Sequence, residues 1–136
     1  MEGFKIAIIV DPALSVGLLA NTVATLAIGL GAACPGFGGT TLADLNGRTV
    51  TTSADRPVPV LQAPEDQIRT LLLKALPGDD RVVVPFPRFA RAVHSFADYL
   101  DLFPQQDLAD SAIDGLGLAG PEKWLRSLTG NLKLLR

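Results

Sequence analysis

The sequence predicts an α/β domain: a three-layer α/β/α sandwich around a mixed sheet of about four main strands, with a small β-hairpin attached. Three observations predict it. Short runs rich in Ile and Val alternate with longer segments whose apolar residues recur at helical spacing, the signature of strands interleaved with helices. The first run, FKIAIIV at residues 4–10, is a short apolar run rich in Ile, as in a strand covered on both faces. A length of 136 residues with 48% apolar composition suits one domain, residues 1–136, with one packed core.

Each element follows in order. Asp11-Pro12 closes the first strand. Residues 14–30 carry many Ala and Leu, with Leu19, Val23, Leu26 and Leu30 at helical spacing. That segment is apolar almost all round and reads as a buried helix. It could be mistaken for a signal peptide or a spanning helix, since residues 14–33 are largely apolar and end in Ala-Ala-Cys. Asp11, Pro12, Ser15, Asn21, Thr22 and Thr25, three glycines and a basic flank of Lys5 alone argue for the buried helix.

Asn46-Gly47 lies between the β-prone runs TTLADL and RTVTT, a strong hairpin signal. RPVPVL at residues 56–61 is strand-like, with Pro57 and Pro59 limiting it to an edge or a strand start. Pro64 opens a second helix with Glu65 and Asp66 in its first turn; Ile68, Leu71, Leu72, Ala75 and Leu76 mark its apolar face. RVVV at residues 81–84 predicts a third buried strand, residues 95–103 a short helix, and residues 113–118 a fourth, glycine-rich strand. Pro121 opens a last short helix through Leu128, and LKLLR closes the chain.

Charge and rare residues restrict the chemistry. A net charge of -2 disfavours strong non-specific binding to nucleic acid, while leaving a local basic patch open. Cys34 and His94 are the only residues of their types, so an internal disulfide, a cysteine metal site and a two-histidine metal site are excluded, and no metal or cofactor is expected. A reducing, cytoplasmic setting is the default reading. Cys34 reads as a small buried residue, with a reactive thiol as the alternative.

GLGLAG at residues 115–120 has the spacing of a dinucleotide loop, but such a loop needs a βαβ unit of about 30 residues and an acidic residue about 20 residues on. Only 16 residues follow Gly120, and no Asp or Glu follows Glu122. The stretch reads instead as the end of a strand that another part of the chain approaches closely. GFGGTT at residues 36–41 lacks the lysine of a phosphate loop. Ser15 and Ser127 have no nearby histidine. The acidic groups Asp79-Asp80, Asp98 with Asp101, and Asp107 with Asp110 and Asp114 read as solvated faces or caps. Arg81, Arg88, Arg91, Lys123, Arg126, Lys133 and Arg136 all lie in the second half, and sequence alone leaves open whether they converge.

The segment GLGLAGPEKWLRSLTGNLKLLR resembles the close of type-II peptidyl-tRNA hydrolases, where a strand of the form L-G-I-G-P leads through a short helix to T-G-H/N-L-K-L-L. Gly115, Gly117, Pro121, Thr129, Gly130, Leu132, Lys133, Leu134 and Leu135 carry the match. KIAIIVDPAL and VPVLQAPEDQIRTLLLKAL are similar to that family's first and second strand–helix units. The chain looks closer still to a bacterial family of small uncharacterised proteins in the same superfamily, with a KIAIIVDP…N start and an LTGNLKLLR end. The departures from the hydrolases bear on chemistry. Their first helix begins with a lysine after glycine; here the segment is Gly17-Leu18-Leu19-Ala20-Asn21-Thr22, and no lysine occurs between Lys5 and Lys74. Their D-A-G-x-T is replaced by Asp107-Leu108-Ala109-Asp110-Ser111. The positive charge for a phosphate or a developing oxyanion is therefore missing.

The resemblance thus implies the scaffold of a non-hydrolase that binds a small ligand or partner in the ancestral cleft. Asp11, Asn21, Thr22 and Thr25 are the candidate cleft residues, because polar groups on an apolar helix need partners or a purpose. The plain alternative is that Thr22 and Thr25 bond back to their helix. A divergent hydrolase of peptidyl-tRNA or a related ester, working through Asp11 or His94, and a non-catalytic RNA-binding module are the other readings. The resemblance and the apolar composition together imply a homodimer, with no membrane association.

Overall fold

The structure is a computed structural model that describes residues 2–136. A five-stranded mixed sheet forms its centre, built from β1 (Phe4–Val10), β4 (Val60–Gln62), β5 (Val82–Pro87), β6 (Ile113–Pro121) and β7 (Lys133–Leu134), in the order β5-β6-β1-β4-β7. β1 runs parallel to β4 and antiparallel to β6, which is antiparallel to β5. β1, β4 and β5 therefore point their carboxyl ends to one edge of the sheet. A separate hairpin pairs β2 (Thr41–Ala43) with β3 (Thr49–Thr51).

Four helices complete the chain: α1 (Val16–Ala33), α2 (Glu65–Ala75), α3 (Phe96–Leu102) and α4 (Glu122–Thr129). The alternation of β1 divides the core. Ile6, Ile8 and Val10 pack with Leu26 and Leu30 of α1, while Ala7 and Ile9 pack with Ile68, Leu71, Leu72 and Ala75 of α2 and Leu125 of α4. Helices thus cover both faces of the sheet, which is why β1 is apolar from Ile6 to Val10. Each buried Leu or Ile contributes about 2 kcal/mol.

Several expectations are corrected. The sheet has five strands rather than about four, because Lys133–Leu134 adds antiparallel to β4 at the edge. RVVV is not fully buried: β5 is an edge strand, partly exposed along most of its length. Nor is α1 buried all round. Only Thr22, Leu26 and Leu30 are buried, and Val16 and Ile28 stand 85% and 73% exposed. On this face α1 is the one helix among the described residues, packed beside Phe37 and Val58, and its far side meets solvent. By length and composition α1 could cross a bilayer, and 17% of it is buried within the fold.

The hairpin forms where Asn-Gly predicted it. Gly47 takes φ of +80°, and Asp44 accepts the backbone N–H groups of Asn46 and Arg48 at 2.9 Å, so the loop is closed by its own aspartate. GLGLAG lies in β6, and its glycines make room for side chains. A Cβ on Gly115 would stand 2.6 Å from Thr22 Cγ2, one on Gly117 3.1 Å from Leu30 Cδ1, and one on Gly120 2.7 Å from the Trp124 ring.

Candidate functional site

The carboxyl ends of β1 and β5 bring together the strongest polar cluster among the described residues. Asp11 leaves β1, and its backbone N–H donates to the carbonyl of Asp114 at 3.3 Å. Asp114 sits near the start of β6, and its side chain is 1% exposed. Two arginines hold its carboxyl group. Arg88 Nε donates to Oδ1 at 3.2 Å and Arg91 Nε to Oδ2 at 2.6 Å. Both arginines lie in the 3-10 turn Arg88–Ala92 that follows β5. Pro87 ends the strand, and the Arg88 N–H bonds the Ala112 carbonyl at 2.8 Å, which fixes the turn against the start of β6.

The electrostatics follow from burial. A carboxylate out of water needs a partner, and one arginine would neutralise it. Two are present, each using only Nε, and their side chains keep 46% and 30% exposure. The terminal guanidinium nitrogens make no bond among the described residues. Arginine presents those nitrogens in a planar fork that matches carboxylate or phosphate. The carboxylate of Asp11 accepts locally, its Oδ1 taking the Ala13 N–H at 2.9 Å.

The residues named from the sequence differ in burial and in partners. Thr22 Oγ1 donates to the Leu18 carbonyl at 2.7 Å and Thr25 Oγ1 to the Thr22 carbonyl at 3.0 Å, so both bond back within α1. Thr22 is buried against β6, while Asn21 and Thr25 are exposed on the outer face. Of the four, Asp11 bonds the cluster through its backbone, and Thr22 packs on Gly115, the residue that follows Asp114. Asp114 is corrected from a solvated residue to a buried one. Of the basic residues, Arg88 and Arg91 share Asp114, while Arg81 lies over the Trp124 ring at 4.7 Å and Arg126 pairs with Glu122 at 2.8 Å.

Two other places hold reactive types. His94 is exposed and lines a shallow cavity of about 300 Å³ with Asp98 and Asp101. Cys34 is fully buried, and burial pushes its thiol above the ordinary value of 9.0. The folded state therefore holds the thiol proton more tightly than the unfolded state. That stabilising term is full below the unfolded thiol's pKa and is lost as pH rises through the folded one. Urea titrations of the wild type should show an alkaline fall in stability that Cys34→Ala reduces, and Ellman's reagent should label the native thiol only on unfolding.

A further cavity, of about 370 Å³, lies between the second half of α1 and the loop at residues 35–58. Ile6, Ala27, Ile28, Leu30, Phe37 and Val58 form its apolar walls. None of Asp11, Asn21, Thr22 and Thr25 lines these cavities.

No protein of curated function matches the chain. Among solved structures, it is similar to a protein of unknown function from Agrobacterium tumefaciens strain C58, with a TM-score of 0.88 at 22% identity over 98% of each chain. That likeness shows a shared fold. The signature of a family described as proteins of unknown function, DUF2000, matches residues 4–136. The chain belongs to the DUF2000 family.

Proposed function

We propose that this chain is a non-hydrolytic relative of the type-II peptidyl-tRNA hydrolases that binds a small anionic ligand, a carboxylate or phosphate, at the carboxyl ends of β1 and β5. One observation carries the reading: buried Asp114 holds two arginines by Nε alone, and their outward nitrogens have no partner among the described residues. Open α/β sheets bind ligands at the carboxyl ends of their strands, where loops rather than core occupy the space. Asp114 acts as the positioning group. It fixes both guanidinium planes before the ligand arrives, so less side-chain entropy is lost on binding. The resemblance to the hydrolase scaffold supports the setting, and the absence of a lysine from α1 supports binding without hydrolysis.

The test is an NMR titration of the arginine Nε–H signals with inorganic phosphate and, separately, acetate. Saturable shifts of Arg88 and Arg91 are expected, and Arg91→Gln should weaken binding by about tenfold, the loss of one charge-assisted hydrogen bond. Shifts that do not saturate, or that survive Arg88→Gln and Arg91→Gln together, would remove the site. Turnover of peptidyl-tRNA by the purified protein would overturn the non-hydrolytic part alone.

A further inference from the structure

β1 is paired along its whole length on one side and only in part on the other. Toward β6 the pairing runs from Phe4 to Val10, whereas toward β4 it covers Ile8 to Val10. The ladder to β4 ends where the Ile8 N–H donates to the Pro59 carbonyl at 3.0 Å. Continued toward the start of β1, a parallel ladder would join the N–H of residue 59 to the Ile6 carbonyl and the Ile6 N–H to the carbonyl of residue 57. Residue 59 is a proline and has no N–H to give. The second bond is not formed either, so the Ile6 N–H and carbonyl have no partner on this edge among the described residues. Successive residues turn these groups to opposite edges, so β6 serves Lys5 and Ala7 and not Ile6. The Phe4 carbonyl, which faces the same edge as Ile6, is taken by Arg56 Nη1 at 2.9 Å. Ile6 is 5% exposed, and backbone groups buried that far need water or a ligand.

The open edge faces a cleft of about 240 Å³ bounded by Pro57, Pro59 and α4. The Ile6 side chain packs with α1 on the other face of the sheet, so what Ile6 offers the cleft is its backbone. Ala7, Leu61, Leu125 and the two prolines make the remaining walls apolar. At the rim Glu122 and Arg126 pair with each other at 2.8 Å, and Lys5 stands exposed in water. We propose that this cleft binds a small neutral carboxamide with an apolar body. Its C=O accepts from the Ile6 N–H and its N–H donates to the Ile6 carbonyl, while the body lies against Leu125 and the prolines. One extended residue turns its N–H and C=O to the same side, so the pair reads a donor and an acceptor that are neighbours in one planar group. A carboxylate lacks the donor and an ammonium lacks the acceptor. An apolar cavity of about 150 Å³ holds benzene, so this cleft has room for a ring bearing an amide.

The cleft lies toward the amino end of β1 and the arginine pair at the carboxyl ends of the strands, so the two sites fail or hold separately. The test is an NMR titration of the isotope-labelled full chain with benzamide, and saturable shifts of the Ile6 amide are expected. N,N-dimethylbenzamide keeps the ring and the carbonyl but has no N–H, and should bind about tenfold more weakly, the loss of one hydrogen bond. Pro59→Ala supplies an N–H opposite the Ile6 carbonyl and should weaken benzamide by a similar factor. Should that variant misfold, the comparison of the two amides on the wild type decides alone. Ile6 shifts that do not saturate, equal binding of the two amides, or undiminished binding by folded Pro59→Ala would each overturn the proposal.

Discussion

Gly115→Ala is expected to cost about 2 kcal/mol in urea unfolding, a large loss for one added methyl. The methyl would stand 2.6 Å from Thr22 Cγ2, 3.0 Å from Leu26 Cδ1 and 3.3 Å from the Ile9 carbonyl. Two of those neighbours are side chains on α1 and the third is backbone, so relief requires the helix to move off the sheet. Thr22→Ser removes the offending methyl and keeps the hydroxyl that bonds the Leu18 carbonyl. The double variant should therefore recover about 1 kcal/mol of the loss, read as the coupling term of a double-mutant cycle. Additive losses would mean that Gly115 is required for something other than the approach of Thr22.

Asp114→Ala should be costly in a different way. It strips two arginines of their only side-chain partner and leaves a gap in a buried strand. Full burial of both guanidiniums would make the loss 3–5 kcal/mol. Because Arg88 and Arg91 are 46% and 30% exposed, water can recover much of their solvation, and about 2 kcal/mol is expected. Asp114→Asn keeps the shape and removes the charge, so it should cost less stability. Asp114→Ala should abolish saturable phosphate shifts, since it holds neither guanidinium plane, while Asp114→Asn keeps one acceptor and should weaken them. A variant that loses stability but retains those shifts would separate the fold from the site, making Asp114 purely structural.

How legible each feature was depends on where its cause lies in the chain. The first strand and the hairpin were legible because their causes are local: an unbroken Ile run needs cover on both faces, and Asn-Gly supplies the turn. The stripe Leu19, Val23, Leu26 and Leu30 was legible by period, and these residues face the sheet. The exposure of the rest of α1 was not. Apolar composition says that a surface favours cover, not that the chain has anything left to cover it with. β7 was missed because two residues show no alternation. Asp114 was misread because its partners lie 23 and 26 residues away, in a segment with no periodic signal of its own. A signal was nevertheless present. A charged residue between Ile113 and Gly115, at the head of a strand that is otherwise apolar, needs a counter-charge somewhere. The same distance hid which of Asn21, Thr22 and Thr25 is buried, since which side of α1 meets the sheet is set by β6.

The pairing of β1 with β6 also sets the order of events in synthesis. β1 is made first, yet the strand that covers it along its whole length is made roughly a hundred residues later. Until then the ribosome holds out a strand that is apolar from Ile6 to Val10 and an uncharged helix, with one edge of that strand unpaired. Contacts this far apart close slowly, and segments of this composition associate wrongly while they wait. The chain is thus one whose yield in a cell should depend on holdase chaperones more than its modest size would suggest.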